Sequence, residues 1–136
     1  MKWIVFLDII LCPFLCYSQY QMPKCADLRE GIVYSRSQDK HQPYRIFISG
    51  STLKQVNLTT GDSSIWEIQW VEECGFTIKF LSGNDPLSQG QKNYLQQHVI
   101  ALKIEHITPD YYLYSVYRDR IGHRLYARDT LWVHEH

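Results

Sequence analysis

Ile65-Trp66-Glu67-Ile68-Gln69-Trp70-Val71-Glu72-Glu73-Cys74-Gly75-Phe76-Thr77-Ile78-Lys79-Phe80-Leu81 is the stretch that decides the fold. Trp66, Ile68 and Trp70 alternate with Glu67, Gln69 and Val71, which is the period of two of a half-buried strand. Past the acidic pair, Phe76, Ile78 and Phe80 alternate with Thr77, Lys79 and Leu81. All these large residues carry even numbers. They share one face of an antiparallel pair only if Trp70 opposes Phe76, Ile68 opposes Ile78 and Trp66 opposes Phe80, or a register an even step away. That pairing also sets Glu67 against Lys79 and Gln69 against Thr77, a charged and a polar pair. A two-residue turn would place Trp70 against Gly75 instead. The reading therefore predicts an odd loop of roughly three or five residues across 72–75, with Gly75 at positive φ and Cys74 at the hairpin tip.

The chain of 136 residues fits one domain. Its aromatic content of 14%, with ten tyrosines, and its hydrophobic fraction of 45% are those of a packed core rather than a disordered chain. Formal net charge is zero, so bulk electrostatics supply no attraction to nucleic acid or to an anionic membrane surface.

Residues 1–18 read as a secretory signal. Lys2 gives a minimal positive start, and an apolar run from Trp3 to Tyr17 follows, interrupted by Asp8 and Pro13. That run is short of the roughly 20 residues that a spanning helix needs. Cleavage after Ser18 leaves residues 19–136 as a single exported β domain, periplasmic or secreted, with no membrane span. A lipoprotein signal on Cys16 or Cys12 fits less well, because Phe14-Leu15 and Ile10-Leu11 are bulky where small residues are wanted. A retained anchor is the third alternative. Removing the signal leaves Cys25 and Cys74, an even pair in an oxidising compartment. A bridge between them closes a loop of about 50 residues, for which chain entropy gives about 4 kcal/mol. Against a net stability of ~5–15 kcal/mol that is a large share. Two distant cysteines without a CxxC partner make no zinc site.

Turn signals divide the rest. Asp27 can cap a short turn that Gly31 ends. Strands are predicted from Ile32, over 44–49, over 53–58 as a more polar edge, over 98–108, over 111–118 and over 125–133. Gly50-Ser51, Thr59-Thr60-Gly61-Asp62, Pro109-Asp110 and the stretch around Gly122 supply turns. Ile100, Leu102 and Ile104 point inward, and Tyr112, Tyr114 and Val116 share a face. Asn57-Leu58-Thr59 matches the glycosylation sequon. After Gly83-Asn84-Asp85-Pro86, residues 87–97 are polar and read as a crossing loop, or as one helical turn around Tyr94. About eight short strands and no long amphipathic helix give an all-β domain: a single antiparallel barrel or half-barrel/sandwich.

Two motifs, Cys25-x-x-Leu28-Arg29-x-Gly31 and Ile68-x-Trp70-x-x-x-Cys74-x-Phe76-x-Ile78, resemble those of short exported bacterial proteins of uncharacterised function. The likeness covers most of residues 25–108 and its motifs are short and structural. It implies a cysteine bridge and a compact β fold, and supplies no catalytic residues. The order of elements is also similar to a lipocalin-like half-barrel, although this chain has Gly31-Ile32-Val33 where lipocalins carry Gly-x-Trp.

Candidate chemistry is sparse. His134-Glu135-His136 could present two imidazoles to a metal, but no third ligand is identifiable. His98 and His106 stand at opposite ends of one strand. Glu72-Glu73 is an exposed turn rather than a catalytic carboxylate pair. No phosphate loop, Gly-x-Ser-x-Gly or HExxH motif is present, and no cofactor is implied. Arg118, Arg120, Arg124 and Arg128, with Tyr117 and Tyr126 nearby, form one basic cluster that Asp119 and Asp129 partly neutralise. The reading that follows is a non-enzymatic exported domain holding a small apolar or aromatic ligand against Trp66, Trp70, Phe76 and Phe80. Its alternative is a protein-interaction or envelope-associated module with a filled core.

Overall fold

A computed structural model describes residues 22–36, 42–84 and 88–135; the signal segment with its cleavage after Ser18, and His136 of the C-terminal stretch, lie outside them. The strands are β1 (Glu30–Arg36), β2 (Pro43–Ser49), β3 (Thr52–Asn57), β4 (Ser63–Glu72), β5 (Gly75–Gly83), β6 (Ile100–Ile107), β7 (Tyr111–Arg118) and β8 (Leu125–Trp132). Each pairs antiparallel with the next, and Tyr34 of β1 opposite Trp132 of β8 closes the sheet into an eight-stranded barrel. β3 is therefore not an edge: it lies between β2 and β4.

The central hairpin has the expected face. Trp70 opposes Phe76, Ile68 opposes Ile78 and Trp66 opposes Phe80, with Glu67 against Lys79 and Gln69 against Thr77. The route to that register differs from the odd loop. Glu72 pairs with Gly75 across a two-residue turn, and a bulge between Trp70 and Glu72 inserts Val71 as the extra residue. The bulge restores the parity that the short turn breaks. Gly75 is also not at positive φ; Gly50, Gly61 and Gly122 are. Position 75 favours glycine for space instead. A Cβ there would run into the Ile121 side chain and the Glu72 side chain, so the tip of the β7–β8 turn rests against the outer face of β5.

Sequence gives the short elements their ends. The backbone N–H of Lys24 donates to Asp27 Oδ2 at 2.8 Å and opens a 3-10 turn over Cys25–Arg29. Residues 89–97 form a helix, α1 (Gln89–Gln97), and not a crossing loop. Ser88 Oγ accepts from Gln91 N–H at 3.1 Å, and Gln91 Oε1 accepts from Ser88 N–H at 2.9 Å. This reciprocal capping box starts the helix. Asn57 is 3% exposed; its Oδ1 accepts from Thr59 and Thr60 N–H and its Nδ2 donates to Gln42. The sequon asparagine thus holds the β3–β4 turn together from inside and presents no free amide.

One end of the barrel is plugged. Leu28 (1% exposed) and Cys25 enter the core, and Cys25 is bridged to Cys74 at the hairpin tip across a Cα separation of 5.3 Å. The Arg29 guanidinium lies 4.7 Å from the Trp70 ring centroid. Tyr112 Oη donates to the Lys24 carbonyl at 3.2 Å, tying β7 to the plug. The opposite end carries α1. Leu95 packs against the core, His98 stacks on Tyr94 at 4.4 Å, and Arg118 lies 5.9 Å from the Tyr94 ring.

Two outcomes are expected. Replacing both Cys25 and Cys74 by alanine lowers unfolding free energy by about 2–5 kcal/mol in urea titrations. Gly75→Ala costs about 1–3 kcal/mol by overpacking although its backbone is unstrained, and Ile121→Ala in the same chain recovers part of the loss in a double-mutant cycle.

Candidate functional site

Side-chain direction alternates along every strand, so the registers define which residues face the lumen. From Phe76, Ile78 and Phe80 the inward set passes to Ile100, Leu102 and Ile104 on β6, then to Tyr112, Tyr114 and Val116 on β7, and to Ala127, Asp129 and Leu131 on β8. On the other side it passes through Trp66 to Leu53 and Gln55 on β3, Ile46 and Ile48 on β2, and Val33 and Ser35 on β1.

These walls do not meet evenly. On the β4–β5 side, aromatic rings fill the space: Trp66 and Phe80 pack edge to face at 5.3 Å, and Trp70 and Phe76 pack at 4.7 Å. Trp66 Nε1 donates to Ser64 Oγ at 2.9 Å, which satisfies the buried indole. The other side is lined by shorter side chains, and they leave a cavity of about 160 Å³. Its apolar wall is Ile46, Ile48, Leu53, Ile78, Leu102, Leu131 and the ring of Phe76; Ser35, Gln55 and Tyr114 add polar groups. Every strand except β4 contributes. Among the described residues, none of the three polar side chains has a hydrogen-bond partner.

The polar groups sit on different walls. Gln55 is on β3 and Tyr114 on β7, four strands apart in a ring of eight, so they stand on opposite sides of the lumen. Ser35 lies next to the β1–β8 closure. Asp129 is paired with Tyr114 across β7 and β8. Burial raises the Tyr114 phenol well above its usual pKa, and the Asp129 carboxylate adds to the rise, so the hydroxyl stays protonated. Tyr112, at the plugged end, is pushed up to about 12 by burial, with Asp27 contributing.

Of the residues expected to hold a ligand, Phe76 borders the cavity. Trp66, Phe80 and Trp70 are packed on the filled side, against one another, Phe76 and the plug. Sequence reasoning does not single out Ser35, Gln55, Tyr114 or Asp129 as site residues. Tyr114 does share a predicted face with Tyr112 and Val116, and Asp129 is two residues from the inward Leu131. Asp129 therefore faces the lumen instead of neutralising the arginine cluster. Asp119 does serve that cluster: it lies 3.5 Å from Arg118 and 3.4 Å from His98. Glu135 of the C-terminal histidine stretch pairs with Arg45 at 3.1 Å. A larger hollow of about 530 Å³ lies beside α1, bordered by Ser88, Gly90, Gln91, Tyr94 and Leu95. It is open to solvent and its described lining comes from the helix and its cap alone, whereas the smaller lumen cavity draws its lining from seven strands. The lumen is the better candidate on that geometry.

Comparisons of the chain with protein-family models, with curated proteins and with solved structures return no match.

Raised phenol pKa values set a sign for alkaline stability. A group whose folded pKa exceeds its unfolded value stabilises fully below the unfolded pKa, and that contribution is lost as pH rises through the folded one. For Tyr112 the window runs from about 10 to about 12. Urea midpoints are expected to fall across that window, and Tyr112→Phe to flatten the fall.

Proposed function

We propose that this chain is a non-enzymatic small-ligand carrier whose site is the hollow side of the barrel. The observation that carries the reading is the cavity of about 160 Å³, apolar on most of its wall, with Ser35, Gln55 and Tyr114 unpartnered among the described residues. A cavity of about 150 Å³ lined by Leu, Ile and Phe is large enough to take benzene. Drug-sized ligands need about 300–1,000 Å³. The ligand class is therefore one small ring or a short branched chain bearing a hydrogen-bonding group, and not a long lipid. The Cys25–Cys74 bridge supports a place in an oxidising compartment, periplasmic or secreted.

The interaction-module alternative draws on the outer face of β2, β1, β8 and β7, where Phe47, Tyr34, Trp132 and Tyr111 gather. These side chains already have partners. Tyr111 packs on Trp132 at 5.2 Å, and Arg45 covers both Tyr34 and Phe47 at 5.7 and 6.0 Å. The patch is thus partly closed by its own contacts, which favours the lumen.

Titration with toluene and with phenol, followed by methyl NMR, tests the reading. Shifts are expected at the methyls of Ile46, Ile78, Leu102 and Leu131, with a rise in Tm that grows with ligand concentration. Leu102→Phe, which fills the void, is expected to abolish the shifts while the fold persists. Shifts confined to the outer face, or none at saturating ligand, would refute a lumen site.

A further inference from the structure

We infer that the lumen selects neutral or cationic small molecules and rejects carboxylates, because the charge nearest its polar wall is Asp129 beside Tyr114. The inference rests on the reading of the lumen as a ligand site and adds the chemical class of its occupant.

Two charged side chains occupy inward positions on the strands. Arg118 follows Tyr112, Tyr114 and Val116 on β7 and pairs with inward-facing Ile100, but it stands at the rim. Its guanidinium is engaged there by Asp119 at 3.5 Å and lies over Tyr94 of α1. Four residues of extended chain, roughly 13 Å, separate it from Tyr114. Asp129 is different. It lies mid-strand, directly across from Tyr114, and its carboxylate charge is felt at the Tyr114 phenol. Its Oδ1 accepts from the backbone N–H of Thr130 at 2.7 Å. Among the described residues no cation pairs with it. The other inward titratable groups are the phenols Tyr44 and Tyr112, and the plug brings Asp27, a second negative charge, to the far end near Tyr112.

The polar wall therefore offers a protonated hydroxyl at one side, with the Asp129 carboxylate beside it on the neighbouring strand, and a neutral amide, Gln55, at the other. A hydroxyl or amine on a bound ring finds acceptors there. A bound carboxylate meets a like charge in a partly desolvated space, where repulsion is weakly screened. The expected discrimination is at least about tenfold in Kd.

Four probes of similar size decide it: toluene, benzyl alcohol, benzylamine and benzoate, titrated at neutral pH and low salt into the wild type, Asp129→Asn and Tyr114→Phe. Calorimetry or methyl NMR gives Kd, and thermal melting confirms that each variant folds. Both substitutions are close to isosteric, and the side-chain amide oxygen introduced by Asp129→Asn can still accept from the Thr130 N–H. Benzyl alcohol and benzylamine are expected to bind wild type at least about tenfold more tightly than benzoate, and Asp129→Asn to close most of that gap. Tyr114→Phe is expected to weaken benzyl alcohol severalfold and leave toluene unchanged. Benzoate binding wild type as tightly as benzyl alcohol, or a gap that survives Asp129→Asn, overturns the inference while toluene binding keeps the lumen reading intact. If none of the four binds, the lumen reading itself fails.

Discussion

A sheet that closes on itself has to keep one set of side chains inside from strand to strand all the way round. A single slipped register turns every later strand inside out. In this barrel the inward set runs unbroken from Val33 on β1 to Leu131 on β8. It survives because extra residues are absorbed locally. Register shifts lie between Trp70 and Glu72, between Ile65 and Trp66, between Ile104 and His106, and between Val116 and Tyr117. Residues displaced by such shifts, Val71, Leu81 and Tyr126, are exposed large hydrophobics. Their exposure follows from parity: a residue that fits neither face of the ladder is pushed outward.

The same constraint explains why the interior is full on one side and hollow on the other. Once the inward positions are fixed, only side-chain volume can fill the lumen. β4 and β5 place Trp66, Trp70, Phe76 and Phe80 there. β1, β2 and β3 place Val33, Ile46, Ile48 and Leu53, with Ser35 and Gln55 among them. Aromatic rings reach across the barrel axis and branched aliphatic chains do not. The disulfide and the 3-10 turn anchor the crowded end, where Leu28 and Phe76 are each 1% exposed. What remains empty is bordered mostly by aliphatic and small polar residues, with Phe76 and Tyr114 at its edges.

The hairpin, the barrel class and the Cys25–Cys74 bridge are legible in the sequence, because each leaves a mark on residue type or spacing. Six large residues at even positions specify a face. The geometry of the turn is less legible, since a bulge and an odd loop give the same face. Helix α1 escapes a reading of the sequence for a physical reason: none of its residues is fully buried and only Leu95 packs against the core, so it has no apolar stripe to read. Its one local signal is Ser88 with Gln91 three residues on. The cavity leaves no mark, because Ile46, Leu102 and Leu131 read as core whether or not the opposite wall reaches them. Asp129 reads with its sequence neighbours Arg124 and Arg128, although alternation from Leu131 already places it on the inner face.

Among the described residues, β1 and β8 are joined by the single pair Tyr34 and Trp132, while every other neighbouring pair of strands shares at least four. Ser35 and Leu131 of the cavity wall adjoin that pair. Local opening has the lowest free energy where the ladder is shortest. Fraying of the barrel is therefore expected first at this seam, while the Cys25–Cys74 bridge holds the plug to the central hairpin.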